Sequence, residues 1–397
     1  MLPKKRVFIL IVIFLGLTSL TVMFANNPIY IVDPFFSLPL SVPEAPINKL
    51  LYMHYALSSH VIRTPVALDA KGRFYIVGRK NGKIRVIVLN PAGRIERIIT
   101  PRLKDGRFLR LCFHISVSPS GECIWTIEDE VIPRVTVHGR NGRAKVSWLV
   151  NEHAINYYRI YAYAEDSAYI VQGDGGLFCL RFMIGQYKPQ KFEMPISLFP
   201  IFFHNGKFWQ IKDIDNLAQQ FSKSGIKGQK LYSWVISWTP EEGARLVRRI
   251  LVQSPTIKHI KWIDEQGNFY AYAYLPTYHP LSFLMEIDLI KRFLQAVGIS
   301  DILRGRQVKS IQVFSSEGRL LDTIILPSII RPKRGEELKY GQLIKADEKG
   351  IYLEVEKVNE PREYRIVRIV KKRRWQIWWD ALRSRLNPVQ PKGKVTY

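Results

Sequence analysis

Apolar and polar positions alternate with a period of two over most of the chain, and short glycine-bearing turns interrupt them at intervals. Ile84-Arg85-Val86-Ile87-Val88-Leu89 runs into Asn90-Pro91-Ala92-Gly93-Arg94, and Val308-Lys309-Ser310-Ile311-Gln312-Val313-Phe314 into Ser315-Ser316-Glu317-Gly318-Arg319. This pattern predicts half-buried antiparallel hairpins. A second signal recurs: Asp69-Ala70-Lys71-Gly72-Arg73-Phe74-Tyr75-Ile76-Val77, Ser118-Pro119-Ser120-Gly121-Glu122-Cys123-Ile124-Trp125, Asp264-Glu265-Gln266-Gly267-Asn268-Phe269-Tyr270 and Asp347-Glu348-Lys349-Gly350-Ile351-Tyr352-Leu353. Each is a turn with glycine where a positive φ is cheap, followed by an aromatic or β-branched strand. Glu165-Asp166-Ser167-Ala168-Tyr169 is a weaker copy without the glycine, and His204-Asn205-Gly206-Lys207-Phe208-Trp209 keeps it.

Six units of this kind, each with room for four short strands, predict an all-β fold, a six-bladed β-propeller over 58–374. The blades fall at 58–105, 108–150, 154–195, 197–254, 256–328 and 338–374. Thr64 to Val77, with Ile84 to Leu89 and Gly93, resembles the NHL-repeat family of six-bladed, TolB-like propellers. That resemblance implies the propeller fold. Units two and six match it in part, while three and four depart most. Two insertions interrupt the blades, 213–228 and 288–298, and the second places Ile290, Phe293, Leu294 and Val297 on one helical face.

The alternation is absent before residue 26. Val7 to Ala25 is nineteen residues without a charge, long enough as a helix to span roughly 28 Å of hydrocarbon. Lys4, Lys5 and Arg6 precede it, and no other basic residue occurs before Lys49. This predicts a transmembrane signal anchor at 7–25, a cytoplasmic 1–6, and a propeller outside the cell membrane. A signal peptide cleaved after Ala25 is the alternative. Residues 26–57, rich in proline, are expected to form an extended tether. At the other end, 375–397 reads as a basic amphipathic tail: on a helix Trp375, Trp378, Trp379, Leu382 and Leu386 share a face, with Arg383 and Arg385 beside it. Such a face suits a membrane interface, or packing against the propeller, with Lys371 to Arg374 as the alternative end of a last strand.

Charge narrows the choice of partner. The chain of 397 residues carries 59 Lys+Arg against 34 Asp+Glu, a formal charge of +25. The three N-terminal charges and the +7 of residues 371–397 leave +15 on the residues between. In an exported chain this points away from nucleic acid and toward an anionic glycan, lipid or protein of the envelope. Arg63, Arg110, Arg159, Lys258 and Lys339 each precede or open an expected innermost strand, so they are candidates, with His259 and Lys261, for a cationic ligand-binding mouth. No HExxH, GxSxG, P-loop or GxGxxG motif occurs. No cofactor is expected, and a non-catalytic binding or scaffold module is the preferred reading. The alternative is a lactonase-like hydrolase or lyase with a channel metal, for which Asp69, Asp264 and Asp347 would be the carboxylates, although turn stabilisation is their ordinary role. Cys112, Cys123 and Cys179 are expected as buried thiols, Cys123 lying opposite Ser116 across its hairpin.

Overall fold

The computed structural model describes residues 28–40, 45–47, 49–50, 53–54, 61–62, 66–110, 112, 114–128, 134–150, 158–172, 178–193, 201–213, 233–241, 248–252, 257–276, 307–326, 338–357 and 363–373. The apolar run 7–25, the tail 375–397, the insertion 288–298 and all but Asp213 of the other insertion lie outside them. Among the described residues no helix is long and apolar enough to cross a membrane.

The strands are β1 (Pro28–Pro39), β2 (Lys49–Leu50), β3 (Met53–His54), β4 (Val61–Ile62), β5 (Val66–Leu68), β6 (Phe74–Lys80), β7 (Lys83–Leu89) and β8 (Ile95–Ile99). There follow β9 (His114–Val117), β10 (Cys123–Glu128), β11 (Arg134–Gly139), β12 (Ala144–Leu149), β13 (Tyr158–Ala162), β14 (Ser167–Gln172), β15 (Phe178–Met183) and β16 (Gln190–Glu193). The chain continues through β17 (Ile201–His204), β18 (Lys207–Asp213), β19 (Ser233–Trp238), β20 (Arg248–Val252), β21 (Ile257–Ile263), β22 (Phe269–Pro276), β23 (Gln307–Phe314) and β24 (Leu320–Ile325). The last three are β25 (Leu338–Asp347), β26 (Gly350–Lys357) and β27 (Glu363–Arg373).

They form a six-bladed β-propeller. Blades two to five are the antiparallel sheets β9 to β12, β13 to β16, β17 to β20 and β21 to β24. In blade one β6, β7 and β8 follow an inner edge shared by β5 and β2. The first strand of each blade is innermost: β5 neighbours β9, β9 neighbours β13, β17 neighbours β21 and β21 neighbours β25. The core lies between blades. Trp125 and Ile127 of blade two pack with Ile170 and Phe182 of blade three, and Ile311 and Ile324 of blade five with Leu353 and Ile369 of blade six.

The stretch read as a tether needs correction. Blade six is ordered β1-β27-β26-β25, so a strand from the start of the described chain becomes its outermost member. Phe36, Leu38, Leu40, Ala45 and Ile47 are buried. The prolines that argued for an extended tether, Pro28, Pro34 and Pro39 among them, are compatible with an edge strand, where a missing N–H breaks no ladder. A bulge between Pro34 and Phe36 absorbs one of them.

Asn81-Gly82 and Asn205-Gly206 have positive φ at both residues, the two-residue hairpin expected of Asn-Gly. Because every blade is antiparallel, the turns after first strands and after third strands share one face of the propeller. The connections after second strands, and those between blades, share the other. These are the tight-turn face and the loop face below. All three cysteines are buried and free. The hairpin register sets Ser116 opposite Trp125 rather than Cys123, because the turn closes wider, from Ser118 N–H to Cys123 C=O at 2.9 Å.

Candidate functional site

The innermost strands all begin at the loop face, and the sequence places bases at their starts. His114 opens β9, while Arg159, Lys258 and Lys339 are each the second residue of β13, β21 and β25. Arg110 is exposed in the connection leading to β9. Topology therefore places Arg110, Arg159, Lys258 and Lys339 at the loop-face ends of their first strands. Arg63 lies outside the described residues. Lys261 departs from the pattern: it sits toward the other end of β21, partly buried, with Nζ 5.7 Å from the centroid of the Tyr272 ring. His259 is paired in register with the same Tyr272.

One base and one hydroxyl of this lining are structural. His114 Nδ1 accepts the Ile160 N–H at 3.4 Å and Ser116 Oγ accepts the Ala162 N–H at 2.8 Å, tying blade two to blade three. His114 is partly buried, its ring centroid 6.2 Å from that of Tyr161. That burial, with the nearby Arg159 charge, pushes its imidazole down to about 3. Arg159 is thus the permanent cation of the pair, and His114 a neutral acceptor.

A pH dependence follows, shared with His138, whose burial pushes it down to about 4. Its Nε2 lies 3.0 Å from Thr126 Oγ1. Unfolded, both histidines titrate near 6.5. Between that value and their folded ones the unfolded chain binds protons that the folded chain does not. Stability is therefore highest above about pH 6.5 and falls with acidification, by up to about 1.4 kcal/mol per pH unit for each histidine. Urea midpoints measured between pH 7 and 5 are expected to fall, and His138→Gln to flatten the slope by about one proton. An unchanged slope would contradict the burial argument.

The aspartates considered as metal ligands occupy the tight-turn face and are engaged there. Asp69 Oδ1 accepts the Lys71 and Arg73 N–H groups, both at 3.0 Å, and Oδ2 accepts from Arg73 Nε at 2.5 Å and Tyr75 OH at 3.1 Å. Asp264 repeats this with the Asn268 N–H at 2.8 Å, Asn268 Nδ2 at 3.0 Å and Tyr270 OH at 3.3 Å. Asp347 accepts the Lys349 N–H at 2.9 Å and pairs with Lys345 at 2.8 Å. Glu165, in the turn that lacks glycine, instead receives Ser120 N–H at 2.7 Å and Ser120 Oγ at 2.5 Å. Among the described residues no three His, Cys, Asp or Glu side chains converge as a metal site would require.

No family model and no curated protein matches the chain. The NHL resemblance therefore stands on its turn-and-strand residues alone. Solved structures are similar in outline. A Bacteroides caccae protein of unknown function aligns at 10% identity, TM-score 0.38, over 76% of this chain and 94% of its own. TolB from Acinetobacter baumannii aligns at 10% and 0.38, over 76% and 64%. BamB from Moraxella catarrhalis aligns at 9% and 0.36, over 85% and 100%.

Sequence reading missed the aromatic lining of blades three to five. Tyr161 packs on Phe203 at 5.4 Å, and Trp262 meets Phe202 at 6.1 Å and His204 at 6.3 Å. Burial lowers the His204 imidazole against the opposing pull of Asp264. The signal was present as Tyr161, Tyr163, Phe202 and Phe203 on or beside first strands.

Proposed function

We propose that the protein is a membrane-anchored, extracytoplasmic β-propeller that binds an anionic envelope partner at its loop face and acts as a scaffold without catalysing a reaction. In this reading 7–25 spans the membrane, 1–6 is cytoplasmic, and Trp375, Trp378, Trp379, Leu382 and Arg383 of the tail, which lie outside the described residues, meet the membrane interface. The observation that carries the binding site is positional: Arg159, Lys258 and Lys339 recur at the same step of three innermost strands, at the end where Arg110 is exposed.

A cation set near a polyanion contributes about 1 kcal/mol per charge. The full chain is therefore expected to co-sediment with an acidic polysaccharide, and Arg159→Gln with Lys258→Gln and Lys339→Gln to weaken this by roughly 100-fold, at about 1.4 kcal/mol per decade. Circular dichroism should show an unchanged β signal. Full binding by the triple variant would refute the site.

A further inference from the structure

The register of blade six fixes where the two ends of the described chain leave the propeller. Pro28 pairs with Arg373, and Tyr30 with Lys371. The strand that follows the apolar run and the strand that leads into the Trp-rich tail therefore meet, side by side, on the tight-turn face. Only Asn26 and Asn27 lie between Ala25 and Pro28, a reach of at most roughly 10 Å. Trp375 follows Arg373 by two residues, a reach of roughly 7 Å.

The neighbouring surface has the matching chemistry. Asp322 of β24 accepts from Tyr30 OH and from Lys371 Nζ, the latter at 2.7 Å, and so holds blade five against this corner. Of eight exposed large hydrophobic side chains among the described residues, three belong to these two strands: Val32 on β1, and Leu320 and Leu321 on β24. Arg319 precedes them and is exposed. Apolar side chains beside Arg319 and the Lys371–Asp322 pair, with Glu317 in the preceding turn, lie a short reach from the end of an uncharged nineteen-residue run and fit the boundary between headgroups and acyl chains.

We infer that the tight-turn rim of blades five and six lies on the bilayer, with Arg319, Leu320 and Leu321 contacting lipid, so that the loop face points away from the membrane toward the partner. This rests on the membrane reading above and goes beyond it by orienting the propeller. With so short a connection the anchor does not let the body turn over.

The test uses the full chain in vesicles of phosphatidylcholine and phosphatidylglycerol. An environment-sensitive dye is attached at Leu321→Cys, with Leu320→Cys as a second rim position and Lys83→Cys, exposed at the turn between β6 and β7, as the loop-face control. The three native thiols are buried, and the parent chain treated with the same dye corrects for any label they take up. Nitroxide on the lipid headgroup is expected to quench the emission of either rim dye, since both sit at headgroup depth, and to leave the Lys83→Cys dye unchanged. Protein that resists alkaline extraction but shows equal quenching at both faces, or more at Lys83→Cys, would overturn the orientation. Protein released by alkali would instead overturn the anchor, and the orientation with it.

Discussion

Leu38→Ala is expected to destabilise the propeller by about 2–5 kcal/mol, whereas Val32→Ala, six residues earlier on the same strand, should fall within about 0.5 kcal/mol of the parent. Leu38 is 2% exposed and packs in one cluster with Phe74 and Ile76 of blade one and Tyr352 and Ile366 of blade six. Its truncation leaves a cavity at the place where the ring closes. Val32 is exposed and has no such role. Urea unfolding of the full chain, read by tryptophan fluorescence, distinguishes the two. Equal, negligible effects would mean that this stretch is a tether after all.

The closing strand occupies the place of an ordinary fourth strand. A Cβ on Gly142, in the turn between β11 and β12 of blade two, would lie 2.9 Å from Thr100 C=O just past the outer strand of blade one. On Gly318 it would lie 2.4 Å from Leu251 C=O, on the outer strand of blade four. On Gly93 it would lie 2.6 Å from Phe35 C=O of β1. The same turn glycine thus abuts the outer strand of the preceding blade in blades one, two and five, and for blade one that strand is β1. Glycine is required at these turns both for positive φ and for close approach.

The Asn-Gly hairpins, the Gly-bearing turns and the alternating second and third strands were legible because each depends on local chemistry. Ring closure was not, since nothing local to Pro28–Pro39 names Glu363–Arg373 as its partner. A trace of it existed in the period-two spacing of Phe36, Leu38 and Leu40. Blades three and four, weakest as repeats, still form complete sheets because aromatic packing replaces the turn signal: Tyr169, Phe203, Phe208 and Trp238 fill their interface. At the candidate site, charge position along the first strands was legible, but the part played by each base was not. Arg159 is a lasting cation by its chemistry, but nothing in the sequence shows that the His114 ring is spent on the Ile160 N–H, tying blade two to blade three.

Arg73→Met is expected to cost about 3–5 kcal/mol, and Asp69→Asn in the same chain to restore part of it. The Asp69 side chain is fully enclosed and that of Arg73 is 9% exposed. Removing the guanidinium leaves a buried carboxylate facing only neutral donors. It also deletes the bond from Arg73 Nη2 to Ser120 C=O at 2.7 Å, which joins the first turn of blade one to that of blade two. Ser120 in turn holds Glu165 of blade three, so the loss spreads along the tight-turn face. The exposed pair Arg107–Asp105 has a similar separation, 2.6 Å, yet its removal should leave the urea midpoint unchanged, because water screens both partners. A double-mutant cycle decides the cause: coupling within about 0.5–3 kcal/mol is the expected result for charges in contact. Single costs that simply add would mean that Arg73 acts through packing over the Tyr75 ring, 6.0 Å away, and not through its charge.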